Sequence, residues 1–256
     1  MAMASVSEVR SLLAETTVPQ DLIDDSLVGA SALWLMSATA EMLAGDVVLC
    51  HPPIGPEEVR AVAHPLEGGG IRLTVAAHDR PGLLADTAAV LAAEALSVSA
   101  ASAMTWNGSG IALHALTVAQ AELTEDRWAR LGARLQGLGR DDPPAFEFTP
   151  AGRAVVHSSP SAMGRCVVTV TAADQVGLLW AICRWFADQG LSIEAAHIGA
   201  EGGQVQDHFI VVGQPDTGAL AARLTGDSPS LPGLAIDVAG AVIGIGAGLV
   251  KRILPR

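Results

Sequence analysis

Tyrosine is absent from the 256 residues, aromatic side chains make up only 4%, and lysine occurs once, at Lys251. That lysine and the arginines bring the basic count to 15 against 27 acidic residues, a net charge of −12 with no basic run. Phosphate backbones are held by clustered Lys and Arg, so a nucleic-acid partner is disfavoured. The three cysteines, Cys50, Cys166 and Cys183, form no C-x-x-C pair and leave one thiol over in any disulfide scheme. Reduced, buried thiols in a cytoplasmic protein are the expectation. The opening MAMASVSEVRSLLAE lacks a basic region followed by an apolar run, so no signal peptide is read. The longest stretch without a polar side chain, 238–250, is too short for a helix to cross a bilayer, which argues against stable membrane insertion. With 50% hydrophobic and only 16% charged residues, the chain is far from disordered composition and long enough for two domains.

What the sequence does contain is an internal repeat. Residues 71–102 align without gaps to 166–197 at an offset of 95, and twelve of the 32 positions are identical. Asp79, Gly82 and Leu83 match Asp174, Gly177 and Leu178, and Leu96-Ser97 matches Leu191-Ser192 further on. A shared amphipathic pattern alone does not reproduce a loop and the following strand in register. The alignment marks a duplicated domain.

Each copy reads as the same series of elements. A β-rich run (73–77; 167–171) ends in the Asp-x-x-Gly loop, and from the glycine the apolar period becomes helical. Leu83, Leu84, Thr87, Val90 and Leu91 form one stripe; Leu178, Ile182, Trp185 and Phe186 form the other. Alternating strands follow from Leu96 and Leu191, then turn signals at Asn107-Gly108 and Gly202-Gly203, then return strands at 111–118 and 205–212. A second helix is expected over 125–138 with Thr124 as its cap, and 145–148 as a fourth strand. In the second copy 218–224 reads as the short helix, 234–238 as a strand and 241–253 as an apolar C-terminal helix.

The expected class is α+β: two ferredoxin-like βαββαβ units in tandem, preceded by a short, mainly helical N-terminal segment. The boundaries are 1–65 for that segment, 66–152 for the first unit, 153–164 for a linker without periodicity, and 165–256 for the second unit. Helices are expected near 6–14 and 27–43, the latter capped by Ser26 and stopped at Gly45. Val59, Ala61 and Ala63 alternate, so 59–65 reads as a strand pairing back through Gly68-Gly69-Gly70, though Pro56 followed by Glu57-Glu58 also suits a helix start.

The chemistry concentrates in Asp79-Arg80-Pro81-Gly82-Leu83. A loop entering a helix N-terminus offers unpaired backbone N–H groups that suit a carboxylate. Asp79 can pair with an ammonium group and Arg80 can reach a carboxylate as a fork. The plainer reading has Asp79 capping the helix and Pro81-Gly82 making a tight turn. His78-Asp79 lacks the further ligands a metal site needs, and no phosphate-binding or nucleophile-elbow motif occurs. No catalytic residue, metal or cofactor is assigned.

The strand, the Asp-Arg-Pro-Gly-Leu-Leu-Ala-Asp loop and helix start, and the later Leu-Ser-Val-x-x-Ala resemble the ACT domain, a regulatory module of amino-acid metabolism. Gln206-Asp207-His208-Phe209-Ile210 resembles the second unit of the tandem pairs that close bifunctional uridylyltransferases acting on the nitrogen-signalling PII protein. The resemblance implies a non-enzymatic module binding a small, glutamine-like amino acid at the interface of two units. The implied ligand loops are Asp79, Arg80, Pro81, Gly82 and Leu83, and Asp174, Gln175, Val176, Gly177 and Leu178. In the second loop Gln175 and Val176 replace Arg and Pro, which weakens it as a site. A regulatory protein partner and self-association into a homo-oligomer are compatible with such units. The alternatives are a ligand-free adaptor and a uridylyltransferase relative lacking its catalytic part.

Overall fold

The two copies fold alike and join into one sheet. The computed structural model describes residues 4–226 except 29, 31, 68, 107, 119–123, 162 and 202. In the first copy the core elements are β2 (Ile71–His78), α5 (Leu83–Ala93), β3 (Val98–Trp106), β4 (Ile111–Val118) and α6 (Glu125–Gly137). In the second they are β6 (Arg165–Ala173), α7 (Leu178–Asp188), β7 (Ser192–Glu201), β8 (Gln204–Val212) and α8 (Thr217–Thr225). Thr124 caps α6 as its sequence indicates, accepting from the Arg127 amide. With β1 (Val59–Pro65) and β5 (Ala154–Pro160), eight antiparallel strands run in the order β1-β2-β4-β3-β7-β8-β6-β5.

The α+β class and the ferredoxin-like arrangement therefore hold, but the edge strands come from the other direction along the chain. Residues 145–148 form no strand, and 154–160, expected within the linker, pair with β6 instead. Pro143 and Pro144 cannot donate to a ladder, which disfavours a strand starting there. The tight hairpin from Ser161 to Arg165, closed by the Ser161 N–H to the Arg165 carbonyl at 2.8 Å, delivers β5 to the edge first. In the first copy β1 reaches β2 through the equivalent hairpin, with the Leu66 N–H on the Gly70 carbonyl.

Helices α5 to α8 bury their apolar stripes on one face of the whole sheet. The opposite face of the first copy is covered by α1 (Val6–Leu13), α2 (Gln20–Val28), α3 (Ala32–Met36) and α4 (Ala40–Leu49). The expected helix over 27–43 is thus divided among three helices, with Ser26 inside α2, and Gly45 lies inside α4 rather than at its end. Thr39 caps α4, and the residue after Gly45 explains why the helix continues. Asp46 is buried, and both its oxygens take hydrogen bonds from Arg72 on β2, at 2.8 and 2.7 Å. Thr74 and the Trp34 indole N–H complete its shell at 2.9 and 3.0 Å. A carboxylate so fully satisfied fixes the helical turn on either side of the glycine. The second copy has valine at the position equivalent to Arg72, Val167, and no described element covers that face. The 234–238 strand and 241–253 helix lie outside the described residues.

Candidate functional site

The seam between the copies creates the site. Strand β3 pairs with β7 so that Ala100 faces Gly199, Ser102 faces His197 and Met104 faces Ala195. Ser102 and His197 are themselves 95 residues apart, so a pseudo-twofold axis passes between them. Helices α5 and α7 pack side by side over this seam. Each Asp-x-x-Gly loop is thereby brought against the far end of the other copy's long helix.

The first loop borders a cavity of about 160 Å³. Asp79, Arg80, Pro81, Gly82 and Leu83 all line it. The second copy supplies Ala187 from α7 and Leu191, Ser192 and Ile193 beyond it; His114 and Ala112 on β4 line it as well. Gly82 is the N-cap residue of α5, with φ +81°, and no side chain caps the helix. Asp79 instead accepts from the Thr105 hydroxyl at 2.9 Å, so the capping alternative does not apply. The first-turn amides of Leu84 and Ala85 have no carbonyl one turn back within the helix, which leaves them for an anion. Arg80 is committed elsewhere: its guanidinium pairs with Asp86 at 2.6 Å and donates to the Leu138 carbonyl at 3.1 Å. It braces the loop against α5 and the end of α6 rather than standing as a free fork.

The second loop has the same backbone and a different filling. Gly177 has φ +84° and caps α7 just as Gly82 caps α5. Asp174, Gln175, Gly177 and Leu178 border a cavity of only about 20 Å³, and Val176 is left 37% exposed outside its lining. That volume holds at most about one water molecule. Phe146, from the segment expected as a strand, lies over Gly177 and meets Trp180 edge-on at 5.4 Å between ring centres. The first copy has Ala85 at the position of Trp180.

Three buried polar groups near these cavities escaped the loop-centred reading. His114 is only 4% exposed, and burial together with the Arg80 charge pushes its pKa down to about 4. Asp207 is 1% exposed with one oxygen unpartnered, and burial, with Asp174 nearby, pushes its pKa up to about 7. Cys183, beside the first cavity, has its thiol pKa raised by burial and by Asp207. The hairpin after β7 is two residues shorter than the one after β3, so beyond it the offset falls to 93 and His114 and Asp207 occupy equivalent inward positions, opposite Val75 and Val170.

With this geometry in place, the comparisons with known proteins become specific. Residues 167–226 match the ACT domain family model. The second copy is an ACT domain. Its partner in the tandem shares its order of elements and its loop, as the offset alignment requires. The chain is also 31% identical over 188 residues to the bifunctional uridylyltransferase/uridylyl-removing enzyme of Bordetella pertussis, covering 62% of this chain and 21% of that protein. The enzyme of the same name from Phenylobacterium zucineum is 33% identical over 162 residues, covering 55% and 17%. The chain thus spans about a fifth of the length of these relatives. The crystal structure of an aspartate kinase from Synechocystis superposes at a TM-score of 0.40 with 16% identity, covering 62% of this chain and 26% of that one.

Proposed function

We propose that the chain is a non-enzymatic regulatory module whose first ACT-like cavity binds a small amino acid. The single observation that carries this reading is the cavity of about 160 Å³ at the uncapped N-terminus of α5. An α-carboxylate fits the amides of Leu84 and Ala85, where the helix dipole favours negative charge. An α-ammonium fits the exposed carboxylate of Asp79, already oriented by Thr105. Arg80, Pro81, Gly82 and Leu83 shape the mouth. In the second loop Asp174, Gln175, Val176, Gly177 and Leu178 keep the backbone but not the space, so that loop is structural while Phe146 covers it. Likeness to uridylyltransferase/uridylyl-removing enzymes favours a glutamine-like ligand and a role in reporting nitrogen status.

Thermal unfolding with each common amino acid tests this. At 100 times the dissociation constant a ligand stabilises by ~2.7 kcal/mol, which raises the melting temperature by roughly 5–10 °C for a chain of this size. A flat response to all of them, glutamine included, defeats the sensor. The sheet face of the second copy that no described element covers, where Val155 and Val212 are 49% and 41% exposed, would then favour the adaptor reading.

A further inference from the structure

The first cavity has a polar wall built on a histidine, where the second has the carboxyl of Asp207. His114 projects from β4 toward α5, where its Nδ1 lies 3.2 Å from the Thr87 hydroxyl. That hydroxyl has one hydrogen, and it is donated to the Leu83 carbonyl at 2.9 Å. Thr87 therefore accepts from His114, and the ring carries its proton on Nδ1. Nε2 is left with a lone pair and meets no hydrogen-bond partner among the described residues. The ring lines the cavity together with Gly82 and Ala112. In the second copy the equivalents of Thr87 and His114 are Ile182 and Asp207, so no hydroxyl stands beside the residue at the position of His114.

We propose that His114 is a specificity-determining residue: its Nε2 accepts a hydrogen bond from the ligand's side chain, so the cavity selects amino acids whose side chain carries an N–H or O–H donor. This inference rests on the proposed amino-acid site and adds to it the class of side chain that the site takes. A buried acceptor that an apolar ligand leaves unpaired penalises that ligand. A side-chain carboxylate brings no donor and meets the lone pair with negative charge. Burial keeps the imidazole neutral, so the acceptor persists across the physiological range. Loss of the Thr87 contact would free the ring to turn or change tautomer, and Thr87 is thus the positioning residue behind it.

Two measurements on the full chain decide the matter. Long-range proton–nitrogen NMR correlation of His114 should show a neutral ring protonated on Nδ1; protonation on Nε2 overturns the inference whatever binds. Calorimetric titration with the pairs L-glutamine and L-glutamate, and L-serine and L-alanine, should show the donor-bearing member of at least one pair binding about tenfold or more tighter. His114→Phe, which keeps a ring but removes the acceptor, should erase that preference, and Thr87→Val should reduce it if the first variant does not fold. Binding without a preference, or a preference that survives both substitutions, overturns the role of His114 while the site stands. Silence toward every amino acid overturns the site reading, and this inference with it.

Discussion

A Cβ added to Gly177 would lie 2.2 Å from the ring of Phe146, whereas one added to Gly82 would meet only the Ala187 methyl, at 3.7 Å. Both glycines hold a left-handed backbone, so both substitutions carry the ordinary strain of about 1–2 kcal/mol. Only the second adds a collision with a ring. Gly177→Ala should therefore destabilise the protein more than Gly82→Ala, as read from urea midpoints. The reverse order would show that Phe146 yields freely and does not hold the second loop closed.

Phe146→Ala should empty the space above Gly177 and enlarge the second cavity. The ring is half-buried, so the cost should fall below the ~3–5 kcal/mol of a core Phe→Ala change, at roughly 1–2 kcal/mol. A second, weaker equivalent of amino acid should then appear in a calorimetric titration. An unchanged stoichiometry would mean that Trp180, Asp207 and the lost Arg-Pro pair, not Phe146, disable that loop.

Asp46 and Arg72 bind the N-terminal helices to the sheet through a buried bidentate pair. Asp46→Ala leaves the guanidinium uncompensated and should cost about 3–5 kcal/mol. Replacing both partners with apolar residues of similar volume, Asp46→Leu with Arg72→Met, should recover much of that loss. Far-ultraviolet circular dichroism and urea unfolding of the two variants separate the outcomes; equal destabilisation would show that the Trp34 and Thr74 contacts matter more than the pair.

Asp207 predicts a pH dependence whose sign is opposite to the usual carboxylate. Its folded pKa of about 7 exceeds the ordinary value of 3.8, so the native state holds the proton more tightly than the unfolded chain. The associated stability is present at low pH and is lost as pH rises through about 7. His114, shifted down to about 4, acts the other way and loses stability as pH falls below its ordinary 6.5. The difference in melting temperature between Asp207→Asn and the unsubstituted protein isolates the carboxyl. It should be small at pH 4 and reach several degrees in favour of the amide at pH 8. A difference that does not vary with pH would show that Asp207 is ionised throughout.

The repeat made most of the fold legible, because an offset of 95 places β2, α5 and β3 on their equivalents β6, α7 and β7. Val59, Ala61 and Ala63 revealed β1 by alternation, and the Gly68-Gly69-Gly70 stretch marked its return. Residues 154–160 stayed hidden because an edge strand whose His157, Ser158 and Ser159 are all exposed has little hydrophobic pattern to show. The continuation of α4 past Gly45 was equally silent: it goes with the buried shell of Asp46, whose partner Arg72 lies 26 residues away. At the site, the loops were visible as motifs. Which loop faces open space was not, because that depends on Phe146, a residue outside the aligned segments.

The strand junction at Ser102 and His197 also bears on how the molecule can change. In an assembly of two identical chains every substitution appears twice, so a residue that closes one site closes its twin. Here both halves lie on one polypeptide, and each can vary alone while the shared edge keeps them in register. Trp180 and Asp207 on one side, Ala85 and His114 on the other, are the record of that freedom. One half has kept a vacancy, and its sibling has become the wall against which that vacancy is formed.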